Sequence, residues 1–187
     1  MIFDLLAERY DKWYDRHREI YEKELRLIRK PKKPSLEIGV GTGRFCEPLG
    51  IDIGIDISKK VLEIAKNRCK VIRADACNMP FKDEVFSTVY IIFTLCFLEN
   101  PNESLKEAWR VLKKDGRLIT CVIPKDSGLG EEYSRKQSPF YKIAKFYPEG
   151  EIEKMLEESR FEIVEVRRTK LMYSENDFVC YECGKVI

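Results

Sequence analysis

Residues Leu36 to Arg44 read LEIGVGTGR. Apolar positions flank one acid, Glu37, and lead into three glycines at alternate positions, Gly39, Gly41 and Gly43, with Val40 between the first two. This spacing predicts a strand running into a turn almost free of side chains. A ligand can lie directly on such a backbone, close to the N-terminal N–H groups of the helix that follows.

Outward from that turn, short apolar runs alternate with amphipathic stretches. Ser35 to Ile38 reads as a first strand and Ile51 to Ile57 (IDIGIDI) as a second. Ser58 is placed to cap a helix that ends near Arg68. Lys70 to Ala74 reads as a third strand, and Val85 to Leu95 as a fourth, apolar enough to be covered on both faces. A helix over Asn102 to Leu112 and an Asp115-Gly116 turn lead to a fifth strand, Arg117 to Ile123. Two closing strands, near Phe161 to Arg168 and Asp177 to Val186, follow a helix from about Pro148 to Ser159. Strand and helix in alternation imply a parallel α/β sheet with helices on both faces. Ahead of it, Phe3, Leu6, Tyr10, Trp13, His17, Ile20 and Leu27 form one stripe, predicting a single helix over residues 3 to 29 that ends at the KPKKP stretch from Lys30 to Pro34.

The composition bounds the reading. A chain of 187 residues, 44% hydrophobic and 35% charged, suits one globular domain. Thirty-four basic against 32 acidic side chains is no basic excess, which argues against a nucleic-acid partner. Asp4 and Glu8 interrupt the early apolar residues, so no signal peptide is expected, and no apolar run is long enough to span a bilayer. Seven scattered cysteines suit reduced thiols in a cytoplasm better than a disulfide framework. Cys180 and Cys183 lack a second pair, and on a strand their side chains face opposite ways, which opposes zinc ligation.

The glycine spacing narrows the ligand. A dinucleotide turn reads GxGxxG, with its third glycine five residues after the first. Here that position is Arg44, and the third glycine comes one residue early. Glu37 beside the turn repels a pyrophosphate and attracts a cationic amine. Asp56, at the end of the second strand, can accept two hydrogen bonds from a ribose diol, and Ile57 offers an apolar surface to a base. Asp75 and Ala76, after the third strand, offer an acceptor and an N–H to an adenine edge. Together these ends fit an adenosine that carries an amino acid.

At this point the chain resembles the class I S-adenosylmethionine-dependent methyltransferases of the type 11 kind. LEIGVGTGR resembles that family's first motif and IDIS its acidic second motif. RADACNMPFKDEVFSTV resembles its DAxxLPFxDxxFD segment, with Ser87 in place of the last Asp. LENPNESLKEAWRVLKKDGRLI resembles its proline-started helix and RVLKPGG turn, with Lys114-Asp115 replacing Pro-Gly. The match runs from about Leu36 to Ile123, and YDKWY near the N-terminus resembles the family's cofactor-covering element.

The resemblance implies a Rossmann-like three-layer sandwich whose seven-stranded, mostly parallel sheet ends in an antiparallel strand. It implies S-adenosyl-L-methionine as cofactor, S-adenosyl-L-homocysteine as product and a small-molecule methyl acceptor. By motif position, Glu37, Gly39, Val40, Gly41, Gly43, Asp56, Ile57, Asp75, Ala76, Phe93 and Tyr14 are the cofactor candidates. Thr94, Tyr133 and Tyr141 are candidates for the acceptor side. Residues 1 to 30 would form a helical cap and residues 125 to 147 a lid within one domain. No catalytic residue is singled out, because an activated sulfonium needs alignment more than a strong base. His17, the only histidine, sits on the apolar stripe. A protein that binds the cofactor without using it, and a nicotinamide oxidoreductase, are the competing classes. No motif encodes the acceptor atom or the oligomeric state.

Overall fold

The structure, a computed structural model, describes residues 2–187. Seven strands form one sheet in the order β3-β2-β1-β4-β5-β7-β6. These are β1 (Ser35–Ile38), β2 (Ile53–Asp56), β3 (Lys70–Arg73), β4 (Phe86–Ile92), β5 (Leu112–Val122), β6 (Phe161–Thr169) and β7 (Phe178–Lys185). All pairings are parallel except those of β7, which runs antiparallel to both β5 and β6. This is the Rossmann-like α/β sandwich that the strand–helix alternation and the resemblance imply.

Helices cover both faces. On one lie α5 (Pro101–Val111) and α8 (Glu149–Glu158), which bury Leu105, Ala108 and Leu156 against Leu36, Ile38 and Val89. On the other lie α1 (Ile2–Arg16), α2 (Arg18–Leu27), α3 (Cys46–Leu49), α4 (Lys59–Ala65) and α6 (Gly128–Arg135). There Ala7, Tyr14, Phe45, Val61 and Leu129 pack on Tyr90, Ile92 and Phe178. A short α7 (Pro139–Ile143) follows α6. Strand order reverses between β1 and β4, so the loops after them diverge and open a crevice at their carboxyl ends.

Several local expectations change. The single helix over residues 3 to 29 divides into α1 and α2 at His17, whose backbone leaves helical geometry at φ −120° and ψ 46°. Its ring stacks on Trp13, 4.3 Å between centroids, and Nδ1 lies 2.9 Å from the Trp13 carbonyl oxygen. The Asp115-Gly116 turn is a bulge inside β5: Phe86 and Thr88 on β4 oppose Leu112 and Arg117. The segment after β5, expected only as a lid, carries two short helices: Ser127 and Ser138 cap α6 and α7 by accepting from Gly130 N–H and Tyr141 N–H.

The expectation of reduced cysteines throughout is corrected. Cys121 on β5 and Cys180 on β7 are direct cross-strand partners, with Cα atoms 4.1 Å apart, and they form a disulfide. Fifty-nine residues separate them in the chain, so only strand pairing brings them together. The other five cysteines are free. Cys180 and Cys183 belong to the cores on opposite faces of the sheet. Among the described residues, no helix is long and apolar enough to cross a membrane.

Candidate functional site

The glycine turn is held from below. Gly39 N–H and Val40 N–H both donate to the Ile55 carbonyl, at 2.8 and 2.9 Å, and Gly43 N–H donates to the Val40 carbonyl at 2.9 Å. Gly41 N–H donates to Asp56 Oδ2 at 3.0 Å, and Ser58 N–H to Asp56 Oδ1 at 2.9 Å. These four turn N–H groups are therefore engaged within the protein. The turn offers a smooth surface to a ligand, but those amides are not free to donate to a pyrophosphate.

All three glycines have positive φ, for different reasons. A Cβ on Gly39 would lie 2.2 Å from Thr94 Cγ2, so β4's end packs directly on the turn. Thr94 Oγ1 donates to the Gly39 carbonyl at 3.2 Å. Gly43 faces α4 and the residues after it, near Ala65, Arg68 and Cys69. It provides the close helix approach that a dinucleotide turn takes from its later glycine. Val40 points into the space left by Gly54 on β2.

A cavity of about 390 Å³ opens above this turn. Gly39, Gly41, Asp56, Ile57, Asp75, Ala76, Phe93 and Thr94 all line it, drawn from the ends of four strands. Asp56 lies at its wall, and burial raises its carboxyl against the lowering effect of the Ser58 and Gly41 amides. Ile57 is 48% exposed, an apolar side chain turned to solvent beside that carboxylate. Asp75 Oδ1 accepts from Cys77 N–H at 2.8 Å, which leaves its second oxygen for a ligand. Phe93 has φ +54°, a left-handed backbone that a bulky side chain rarely adopts and that concentrates at functional sites.

Four cofactor candidates do not line this cavity. Val40 and Gly43 support the turn. Glu37 is 1% exposed under it, on the face toward Tyr90, with an unpartnered Oε2. Burial first, then Cys69 and Asp56, push its carboxyl well above the usual range. Tyr14 is buried in the core, its hydroxyl 2.7 Å from that of Tyr10. Tyr10 itself does line the cavity, with Phe3, Leu6 and Ala7 of α1.

A second cavity of about 370 Å³ adjoins the first. Tyr10, Phe93, Phe97 and Phe140 line both. Trp13, Tyr14, Tyr133 and Tyr141 line the second alone, so the two acceptor-side tyrosines are separated from Thr94, which belongs to the first. Tyr133 and Tyr141 stack 4.4 Å apart, and Lys136 Nζ lies 4.8 Å from the Tyr133 ring centroid. His17 lines neither cavity.

Two parts of the site escape sequence reading. Arg44 reaches α1, where it grips Asp11 and Asp15, and Arg68 joins it on Asp11. Glu24 lines the second cavity with no partner for Oε2. Its signal was present: Glu24 occupies the stripe register between Ile20 and Leu27, where an apolar residue belongs.

The residues fit S-adenosylmethionine. The cradle is free of side chains where an amino-acid moiety would lie, Asp56 stands where it would meet a ribose, and Ile57 is turned outward where a base would stack.

A model of the methyltransferase domain matches residues 36–120. An uncharacterized protein of Methanocaldococcus jannaschii is 44% identical over 183 residues, covering 95% of this chain and 88% of that one. A crystal structure from Thermotoga maritima, described as an S-adenosylmethionine-dependent methyltransferase and possible histamine N-methyltransferase, superposes with a TM-score of 0.90. It is 35% identical, with 98% of each chain covered. A demethylmenaquinone methyltransferase of Thermotoga maritima is 35% identical over 139 residues, and this chain spans 58% of its length. The chain belongs to the S-adenosylmethionine-dependent methyltransferases, within the type 11 domain family.

Proposed function

We propose that this protein transfers a methyl group from S-adenosyl-L-methionine to a small-molecule acceptor held in the second cavity. One observation carries the reading. The cavity above the glycine turn and the aromatic cavity share a wall that includes Tyr10 and the left-handed Phe93.

S-adenosylmethionine, when bound, supplies a methyl group already activated by its sulfonium, and S-adenosyl-L-homocysteine is the product. Asp56 would take the ribose hydroxyls, Ile57 would pack on adenine, and Asp75 with the Ala76 N–H would read the adenine edge. The backbone of the Gly39–Gly41 turn would hold the amino-acid end, with buried Glu37 supporting the turn from beneath. Phe93 and Thr94 border the point of transfer, where apolar walls exclude water and fix the line of approach. Tyr133 and Tyr141, in the segment after β5, roof the acceptor.

A thermal-shift comparison of S-adenosylhomocysteine with NADH tests the cofactor, since a ligand that binds only the native state raises the melting temperature. A shift with NADH and none with S-adenosylhomocysteine would sink this reading in favour of an oxidoreductase. Label transfer from methyl-labelled cofactor to an extract separates an enzyme from a protein that only holds the cofactor.

A further inference from the structure

Glu24 is the one fully buried residue of α2, at 2% exposure. Among the described residues it has no hydrogen-bond or ion-pair partner, its Oε2 is enclosed, and it lines the aromatic cavity. A dry, unpaired carboxylate is costly, so the group that completes it is informative. None of the described residues supplies that group. The Tyr10 and Tyr14 hydroxyls bond to each other at 2.7 Å. Of the two cations lining the cavity, Arg9 makes no ion pair with Glu24, and Lys136 pairs with Glu132 at 3.0 Å over the Tyr133 and Tyr141 rings.

A ligand for this chamber must satisfy aromatic walls and one acidic group together. An anion meets the negative faces of the aromatic rings and brings no charge that could balance an ionised Glu24. A purely apolar molecule leaves Glu24 as it is, and an alcohol donates one hydrogen bond without balancing charge. An amine supplies several N–H donors and, when protonated, a positive charge, which aromatic faces also favour. We propose that the aromatic cavity is a binding site for a small apolar amine whose nitrogen is held by Glu24. Only the further step, that this amine is the methyl acceptor, rests on the function proposed above. Burial holds the Glu24 carboxyl well above its ordinary range, and a cation beside it would bring it down.

Calorimetry on the full chain tests the site without turnover. The probes are 2-phenylethylamine, n-hexylamine, 2-phenylethanol and 3-phenylpropionate, each titrated with and without S-adenosylhomocysteine. Wild-type protein is expected to bind at least one amine about tenfold or more tighter than the alcohol, the worth of a charge-assisted bond, and to reject the carboxylate. Glu24→Gln should abolish that preference while S-adenosylhomocysteine binding persists, which also shows the variant is folded. Equal binding of amine and alcohol by the wild type, binding of neither amine, preference for the carboxylate, or an amine preference that survives Glu24→Gln would each overturn the assignment. Failure of S-adenosylhomocysteine to bind would instead remove the methyltransferase reading, and the titrations without it would still decide the Glu24 site.

Discussion

Arg44 holds Asp11 by two parallel hydrogen bonds, Nε to Oδ1 and Nη2 to Oδ2, each 2.8 Å. The pair ties the glycine turn to α1, and both side chains are largely buried, at 14% and 15% exposure. Arg44 also reaches Asp15 at 2.9 Å, while Arg68 Nη1 joins Asp11 to the Thr42 carbonyl. The residue that excludes a dinucleotide spacing is thus the one that fastens the cap.

Arg44→Gln should cost about 2–3 kcal/mol, less than a fully buried pair because Arg68 remains on Asp11. Urea denaturation would measure the loss, and faster proteolysis within α1 should accompany it. Burial raises the Asp11 carboxyl, but the hydrogen bonds from Arg68 and Arg44 outweigh it and leave it well below the usual range. That stability is present above the unfolded value of about 3.9 and is lost as pH falls through the folded one. The gap between wild type and Arg44→Gln should therefore narrow below about pH 4. A gap that widens in acid would contradict the assignment.

Gly39→Ala and Gly50→Ala place the same methyl on the same backbone, since both glycines have φ +72°. At Gly50 nothing lies within 4 Å, so only the left-handed strain of about 1–2 kcal/mol is added. At Gly39 the methyl strikes Thr94 as well, so the loss should be clearly larger and S-adenosylhomocysteine affinity should fall with it. Equal denaturation midpoints for the two variants would mean that the turn and Thr94 are not tightly packed.

Asp56→Ala should weaken S-adenosylhomocysteine binding by about 1.5–3 kcal/mol for each ribose hydrogen bond lost. It also frees Gly41 N–H and Ser58 N–H, so some loss of stability should accompany it. Unchanged affinity by calorimetry would remove Asp56 from the cofactor site.

Glu24→Gln should raise the melting temperature at pH 8 and leave it nearly unchanged at pH 4. Burial raises the folded-state carboxyl of Glu24, so its stability is fully present below the unfolded value, about 4.3, and falls as pH rises through the folded one. Glutamine never ionises and escapes that loss. For a domain of this size each kcal/mol regained reads as roughly 2–4 °C. A variant less stable than wild type at pH 8 would show that Glu24 is ionised and paired.

The sheet was legible because its signals are local. Glycines at alternate positions, Asp56 and Asp75 after apolar runs, and Ser58 as a cap each sit within a few residues of what they specify. Asp56, Ile57, Asp75, Ala76 and Phe93 meet at one cavity because parallel strands bring their carboxyl ends to one edge, a placement that topology guarantees. What was not legible depends on partners distant in the chain. Arg44 seeks Asp11 across 33 residues, and Cys121 meets Cys180 only through the β5–β7 register. Tyr14 turns into the core because the buried seam of α1 runs through Ala7 and Tyr14, rotated from the stripe that Tyr10, Trp13 and His17 suggest.

Tyr10 and Leu6 of α1 stand in the wall of both cavities. Whatever settles that helix from one side settles it for the other. Occupancy of the two chambers should then be cooperative, and thermodynamic reciprocity requires the same factor in each direction. If an amine tightens S-adenosylhomocysteine tenfold, S-adenosylhomocysteine must tighten that amine tenfold. Fastened by Arg44 at Asp11, the cap helix becomes a shared account between donor and acceptor, and loosening it should erode their mutual preference before it erodes either affinity alone.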